Sequence, residues 1–239
     1  MPEDPMRPNT VKRHWAEGRP ALGARLWSAS PIVAEQMARA GFDWLYVDGE
    51  HSPADILTIV RMMRVIAATG TIPIARAPWN DPVEVKRVLD GGARGVIIPW
   101  VNTAAEAERA VAACRYRRRA DDEILCIVQI ETIGAVERID EILSVPGVDA
   151  TFIGQSDLAV SMGVPVAGDN PHPDHVAACA EVLAGALRHG VAPGIGCSGE
   201  EEAARRVREG WKFIGIGADG QYIDQGARRA LAMVRAAGT

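Results

Sequence analysis

The chain has 239 residues, of which 48% are hydrophobic and 24% charged, with a formal net charge of −5. That composition suits one large or two small soluble domains and excludes a global basic field for nucleic acid or a membrane surface. No apolar run is long enough to span a membrane, and the start MPEDPMRPNT is no signal peptide.

In chain order, residues 1–10 read as a loose tail and Val11 to Glu17 as a short helix ended by Gly18 and Pro20. The first strand runs from Ala21 to Trp27. Ser30-Pro31 then opens a helix to Ala40, which Gly41 closes. A second strand, Phe42 to Val47, precedes Asp48-Gly-Glu-His51 and a helix from Pro53 to Ala68. A third strand, Ile72 to Ala75, ends at Arg76, and Asp81-Pro82 starts a helix to Leu89 or Asp90. Gly95 to Ile98 is the fourth strand, and an alanine-rich helix with a good N-cap follows from Thr103 to Cys114. The fifth strand is Ile124 to Ile130, followed by a helix from Gly134 to Leu143. The sixth strand is Val148 to Ile153. A helix from Pro173 to His189 leads to the seventh strand, Ala192 to Cys197. A helix from Gly199 to Glu209 leads to the eighth, Phe213 to Gly217, and Ile223 to Ala237 is the last helix.

Strict alternation of strand and helix, with no linker and no second composition regime, predicts one domain with a parallel sheet. Eight units in this length fit a closed (β/α)8 TIM barrel over residues 1–239, with the tail and first short helix at residues 1–19. A doubly wound open sheet is the rival. It lacks its signature, because no G-x-G-x-x-G opens a helix after the first strand and no P-loop is present. The cysteines Cys114, Cys126, Cys179 and Cys197 show no close pairing pattern, which predicts a reducing, cytoplasmic setting; Cys126 and Cys197 lie in apolar strand-like runs, which predicts buried thiols there.

Barrel enzymes carry their chemistry at the carboxyl ends of the strands. Those ends hold Arg25, Asp48, Glu50, His51, Arg76, Glu131, Asp157 and Asp219. Two stretches stand out, Cys126-Ile-Val-Gln-Ile-Glu131 and Phe152-Ile-Gly-Gln-Ser-Asp157. Each is an apolar strand that stops at a carboxylate, which burial explains poorly. Two carboxylates on consecutive strand ends can share a hard divalent cation such as Mg²⁺ or Mn²⁺, with Co²⁺ a further candidate. The plainer reading makes each a cap or first-turn acid of the next helix. His51 suits proton transfer, with Asp48 or another carboxylate fixing its tautomer; it also suits a metal ligand or a surface loop. Arg76 offers a fork for a keto-acid carboxylate, or a structural ion pair. Backbone amides at Gln155 and Ser156 can seat a carboxylate at a helix start. Trp79 and Trp100 follow strand ends and can line the mouth. The basic cluster Arg115 to Arg119 reads as a solvated helix end.

The runs Gly41-Phe-Asp-Trp-Leu-Tyr-Val-Asp-Gly-Glu-His51, Pro73-Ile-Ala-Arg76, Leu89-Asp-Gly-Gly-Ala93, Val128-Gln-Ile-Glu131-Thr and Phe152-Ile-Gly-x-x-Asp157-Leu resemble the HpcH/HpaI aldolase family across nearly the whole chain. The resemblance implies a metal-dependent pyruvate aldolase on a (β/α)8 barrel. It implies a homo-oligomer, trimer or hexamer, with the last helix exchanged between subunits. It further implies Glu131 and Asp157 as metal ligands, Arg76 on pyruvate and His51 in acid–base work. Asp48 and Asp90 would be carboxylates associated with that histidine, Asp90 from a neighbouring subunit, and Gln155 and Ser156 would lie at the pyruvate carboxylate. The expected reaction is reversible cleavage of a 4-hydroxy-2-oxo acid to pyruvate and an aldehyde. The rivals are a thioester carbon–carbon lyase of citrate-lyase-β or malyl-CoA type, and a non-catalytic keto-acid-binding barrel. The chain departs from the family pattern at Gln155 and Ala159, and in a shortened segment between Tyr116 and Glu123 that bears on acceptor specificity.

Overall fold

A computed structural model describes residues 8–116 and 123–237. The greater part of the basic cluster and of the shortened segment falls on residues 117–122, outside the described residues. Eight parallel strands close into one barrel in sequential order. They are β1 (Ala21–Leu26), β2 (Trp44–Asp48), β3 (Ile72–Arg76), β4 (Gly95–Ile98), β5 (Leu125–Ile130), β6 (Ala150–Ile153), β7 (Gly194–Cys197) and β8 (Phe213–Ala218). The helices are α1 (Thr10–Ala16), α2 (Pro31–Arg39), α3 (Ile56–Ala67), α4 (Pro82–Asp90), α5 (Ala104–Cys114), α6 (Ile133–Glu137), α7 (Ile139–Leu143), α8 (Gln155–Met162), α9 (Pro173–Arg188), α10 (Glu200–Glu209) and α11 (Asp219–Ala236). The expected (β/α)8 architecture is therefore the one observed. Among the described residues no helix is long and apolar enough to cross a membrane.

The strands are apolar because both their faces are covered. Inside the barrel, Trp44, Tyr46, Phe152 and Phe213 form an aromatic stack with Ile74, Ile97 and Ile127. The rings of Trp44 and Phe213 lie 4.0 Å apart and 19° from parallel. Gly23 makes room for that stack, since a Cβ there would fall 2.1 Å from the Trp44 ring. Val11 of α1 closes the amino-terminal end of the barrel, with Trp15 set edge-on to Phe213 at 5.8 Å. Between strands and helices a second, larger apolar layer contains all four cysteines, free and buried, as expected for Cys126 and Cys197.

Beyond shifts of one or two residues, four stretches differ from expectation, each for a local reason. The helix expected from Pro53 starts at Ile56, because Asp55 accepts a hydrogen bond from Thr58 N at 2.8 Å and so sets the N-cap. The helix expected over 134–143 is two short ones, broken at Arg138 (φ −107°, ψ 22°), whose Nε donates to Asn102 O. Helix α8 is an additional element between β6 and α9, where Gly154, Gln155 and Ser156 have the composition of a turn; it ends at Gly163 in the left-handed region (φ +69°). Finally, α11 begins four residues early, at Asp219. That carboxylate is fully buried and accepts hydrogen bonds from Trp27 N, Ser28 N and the Ser28 hydroxyl. Asp219 thus ties the end of β1 to α11 and is not part of a polar mouth.

Candidate active site at the carboxyl end of the barrel

A cleft of about 780 Å³ opens at the carboxyl ends of the strands, lined by Arg25, His51, Arg76, Gln155, Ser156 and Asp157 among others. Glu131, one residue beyond β5, lies beneath it at 1% exposure. One of its oxygens accepts from Trp100 N at 2.7 Å, and the other accepts from the side-chain amide of Gln129. Trp100 holds that geometry with a left-handed backbone (φ +57°), an uncommon conformation for a non-glycine residue. Glu131 does not cap α6; Thr132 does, accepting from Ala135 N. The plainer reading of Glu131 is thereby removed.

Asp157 stands in the first turn of α8, behind the N-cap Gly154. Gly154 passes so close to Glu131 that a Cβ there would meet Glu131 Oε2 at 2.8 Å. Burial pushes the Glu131 carboxyl up to about 7, against the two hydrogen bonds it accepts, and the nearby charges of Glu50 and Asp157 push in the same direction. No Lys, Arg or His forms an ion pair with Glu131 or Asp157 among the described residues. Such a pair of acids fits a hard divalent cation, which supplies the missing positive charge. The described residues hold no cluster of three or more His, Cys, Asp or Glu side chains suited to a metal. Water and substrate would therefore complete the coordination, as is usual for Mg²⁺.

On the other side of the mouth, Asp48 is fully buried and carries two guanidiniums. Arg76 grips it with a two-pronged contact, Nε to Oδ1 at 2.9 Å and Nη2 to Oδ2 at 2.6 Å, while Arg25 pairs with Oδ2. Burial opposes ionisation of Asp48, but the hydrogen bonds and charges of Arg76, and the charge of Arg25, prevail and hold its carboxyl at about 2. Of the two readings of Arg76, which do not exclude each other, the ion pair is present: Asp48 occupies Nε and Nη2. Nη1 remains, 3.1 Å from Glu50 Oε2 and 3.5 Å from Gln129 Oε1.

His51 lines the cleft with its side chain 48% exposed. Asp48 reaches only its backbone N–H, at 3.2 Å, and the carboxylate at its ring is Glu50, 3.8 Å from Nε2. Burial raises the Glu50 carboxyl above its ordinary value. Gln155 turns its side chain away from the mouth, donating to Gly196 O and, at 2.9 Å, to Glu202. The backbone amides at the α8 start, before its first helical bond from Leu158 N to Gly154 O, can serve a ligand there.

Asp90, like Asp219, is a candidate that the fold does not bring to the mouth of its own barrel. It ends α4, which runs back toward the opposite end of the barrel, and it accepts from the Tyr116 hydroxyl. Trp79 and Trp100 do meet, with ring centroids 6.1 Å apart. Gln129 was overlooked by the sequence reading although a signal existed: it is the single polar residue in β5 and stands two residues before Glu131, on the same barrel-facing side. It links the two halves, donating to Glu131 and accepting from Arg76. The chain's three lysines stay out of the cleft: Lys12 pairs with Asp149, Lys86 covers the Tyr116 ring and Lys212 donates to Gly18 O.

A model of the HpcH/HpaI aldolase/citrate lyase family matches residues 24–225. A 4-hydroxy-2-oxo-heptane-1,7-dioate aldolase of Escherichia coli is 35% identical over 97% of each chain. That alignment spans 255 positions, more than the chain has residues, so the relative holds residues absent here. A solved HpcH/HpaI aldolase/citrate lyase family protein from Burkholderia cenocepacia superposes with a TM-score of 0.88 at 34% identity, covering 95% of this chain and 99% of that one. An HpcH/HpaI aldolase from Desulfitobacterium hafniense does so at 0.85 and 26%, covering 94% and 96%. The chain belongs to the HpcH/HpaI aldolase/citrate lyase family and is a carbon–carbon lyase.

Proposed function

We propose that the protein reversibly cleaves a 4-hydroxy-2-oxo acid to pyruvate and an aldehyde, with a divalent cation at Glu131 and Asp157. The observation that carries this reading is the acid pair itself, one member buried and neither balanced by a protein cation. Glu131 and Asp157 would hold a divalent ion, which would supply Lewis-acid polarisation of the 2-keto group.

The chain's own residues supply the rest. The first amides of α8, at Gln155 and Ser156, would hold the pyruvate carboxylate. Arg76 Nη1 would donate to the oxygen on which enolate charge develops, kept in place by the grip of Asp48 on the other two nitrogens. His51 would take the proton of the 4-hydroxyl as the C3–C4 bond breaks and its electrons pass to C3, and would return that proton in condensation. No residue in the cleft can form a Schiff base, since none of the three lysines lines it. The 4-hydroxy-2-oxo-heptane-1,7-dioate aldolase relatives support the substrate class.

Helix α11 supports an oligomer. It is 18 residues long, and from Ile223 to Ala236 no side chain is buried, with Ile223, Leu231, Met233 and Val234 each more than half exposed. An exposed apolar face of this kind is explained by exchange onto a second copy of the chain, and Asp90 would reach a mouth only from such a neighbour.

The test is incubation with pyruvate in D₂O and Mg²⁺ or Mn²⁺, following the methyl signal by NMR. Metal-dependent loss of the signal, abolished by chelation, is expected. Pyruvate binding without exchange would overturn the aldolase reading in favour of a keto-acid-binding barrel or a thioester lyase.

A further inference from the structure

We propose that Arg25 is the specificity-determining residue for the aldehyde half of the substrate, binding a carboxylate at its far end. The proposal rests on the aldolase reading above and extends it to the acceptor.

In a closed eight-stranded barrel β1 lies opposite β5, so Arg25 faces Glu131 across the mouth. A keto acid seated between the acid pair and Arg76 would leave the rest of the cleft, toward the wall made by β7, β8 and β1, for the acceptor half. That wall is uncharged at Gly196, Ser198, Gly217 and Gln221. Its one acid, Asp224, is paired with Arg228 at 2.7 Å. Arg25 is the cation of this wall among the described residues, lining the cleft with its side chain 31% exposed.

Arg25 is also under-used by the protein. Its partner is Asp48, both of whose oxygens already accept hydrogen bonds from Arg76. The Arg25 Nε is buried without a hydrogen-bond partner. A guanidinium has five N–H donors, and one shared carboxylate oxygen matches few of them. Arg25 adds its charge to Asp48 through one nitrogen, and this leaves the rest of its guanidinium at the cleft surface. A substrate carboxylate would use the remaining donors. Cleavage of a 4-hydroxy-2-oxo-heptane-1,7-dioate between C3 and C4 would yield an aldehyde of this kind, 4-oxobutanoate. The cleft of about 780 Å³ accommodates both halves.

The experiment compares kcat/KM for condensation of pyruvate with 4-oxobutanoate and with butanal, its uncharged counterpart. Arg25→Gln should lower the acid-to-neutral ratio at least about 10-fold, through KM for the acid. Arg25→Lys keeps the counter-charge for Asp48 and guards against misfolding; it should lower the ratio less, because an ammonium lacks the fork. An unchanged ratio in both variants, with the two acceptors falling together, would overturn the proposal and leave Arg25 as a partner of Asp48. A wild-type protein that condenses neither aldehyde and exchanges no pyruvate methyl protons would sink the aldolase reading itself, and this proposal with it.

Discussion

The two sides of the barrel mouth solve the problem of buried charge in opposite ways. On the β5–β6 side, Glu131 and Asp157 crowd together with no protein cation, and Glu131 is pushed up to about 7. On the β1–β3 side, Asp48 is as deeply buried yet held at about 2 by two guanidiniums. Burial costs both carboxyls; only one receives compensation from the chain. The uncompensated side would suit an external cation, and on the compensated side Arg25 and Arg76 stand against Asp48 and Glu50. Gln129 joins them, with its amide NH₂ toward Glu131 and its carbonyl toward Arg76.

Removing the cation side is the strongest way to break that contrast. Glu131→Gln should lower metal-dependent turnover by about 10³-fold, the several kcal/mol that a Lewis acid contributes, measured as pyruvate methyl exchange. Full activity in that variant would remove the acid pair from the mechanism. Breaking the other side should show in stability. Asp48→Asn leaves Arg25 and Arg76 without their shared charge and should destabilise by about 3–5 kcal/mol in urea unfolding.

A smaller effect sharpens the geometry. Gly154→Ala would put a Cβ 2.8 Å from Glu131 Oε2 and 3.0 Å from Gln129 Nε2. The displaced carboxylate should cost up to about 100-fold in turnover with little change in stability, the loss expected for a misplacement near 1 Å. An unaffected rate would show that Glu131 has freedom the packing denies it.

Acid titration separates the two carboxyls more gently. Asp48 has an ordinary value of 3.8 and about 2 in the fold, so its contribution is fully present above pH 3.8 and is lost as pH falls through about 2. That share is about 2 kcal/mol, and Asp48→Asn should lack it. The smallest effect concerns assembly. Leu231→Glu on the exposed face of α11 should leave the barrel folded by circular dichroism and reduce the oligomer to smaller species in light scattering; an unchanged mass would show that α11 covers nothing.

The barrel was legible because each strand is an apolar run closed by a turn signal, and several helices open on a cap residue, among them α2 at Ser30, α4 at Asp81 and α5 at Thr103. Helix α8 was not, since its start at Gly154 lacks a side-chain cap and its composition is that of a turn. The site residues could be named individually from strand ends, and Glu131, Asp157, His51 and Arg76 do converge. Asp219 has the same sequence signature, yet it is a buried tie between β1 and α11. Asp90 lies at the wrong end of the barrel, because a helix that returns along its strand places its last residue there.

The sequence by itself determined the alternation of elements, the residues at each strand end and the family, because hydrophobic period, capping and motif order are local properties. The tertiary structure decided who neutralises whom. That Asp48 takes the fork of Arg76, that Glu131 lacks a cation and that Arg25 has donors to spare depend on groups from different strands meeting in one water-poor space, where separation and burial set the energy of a charge.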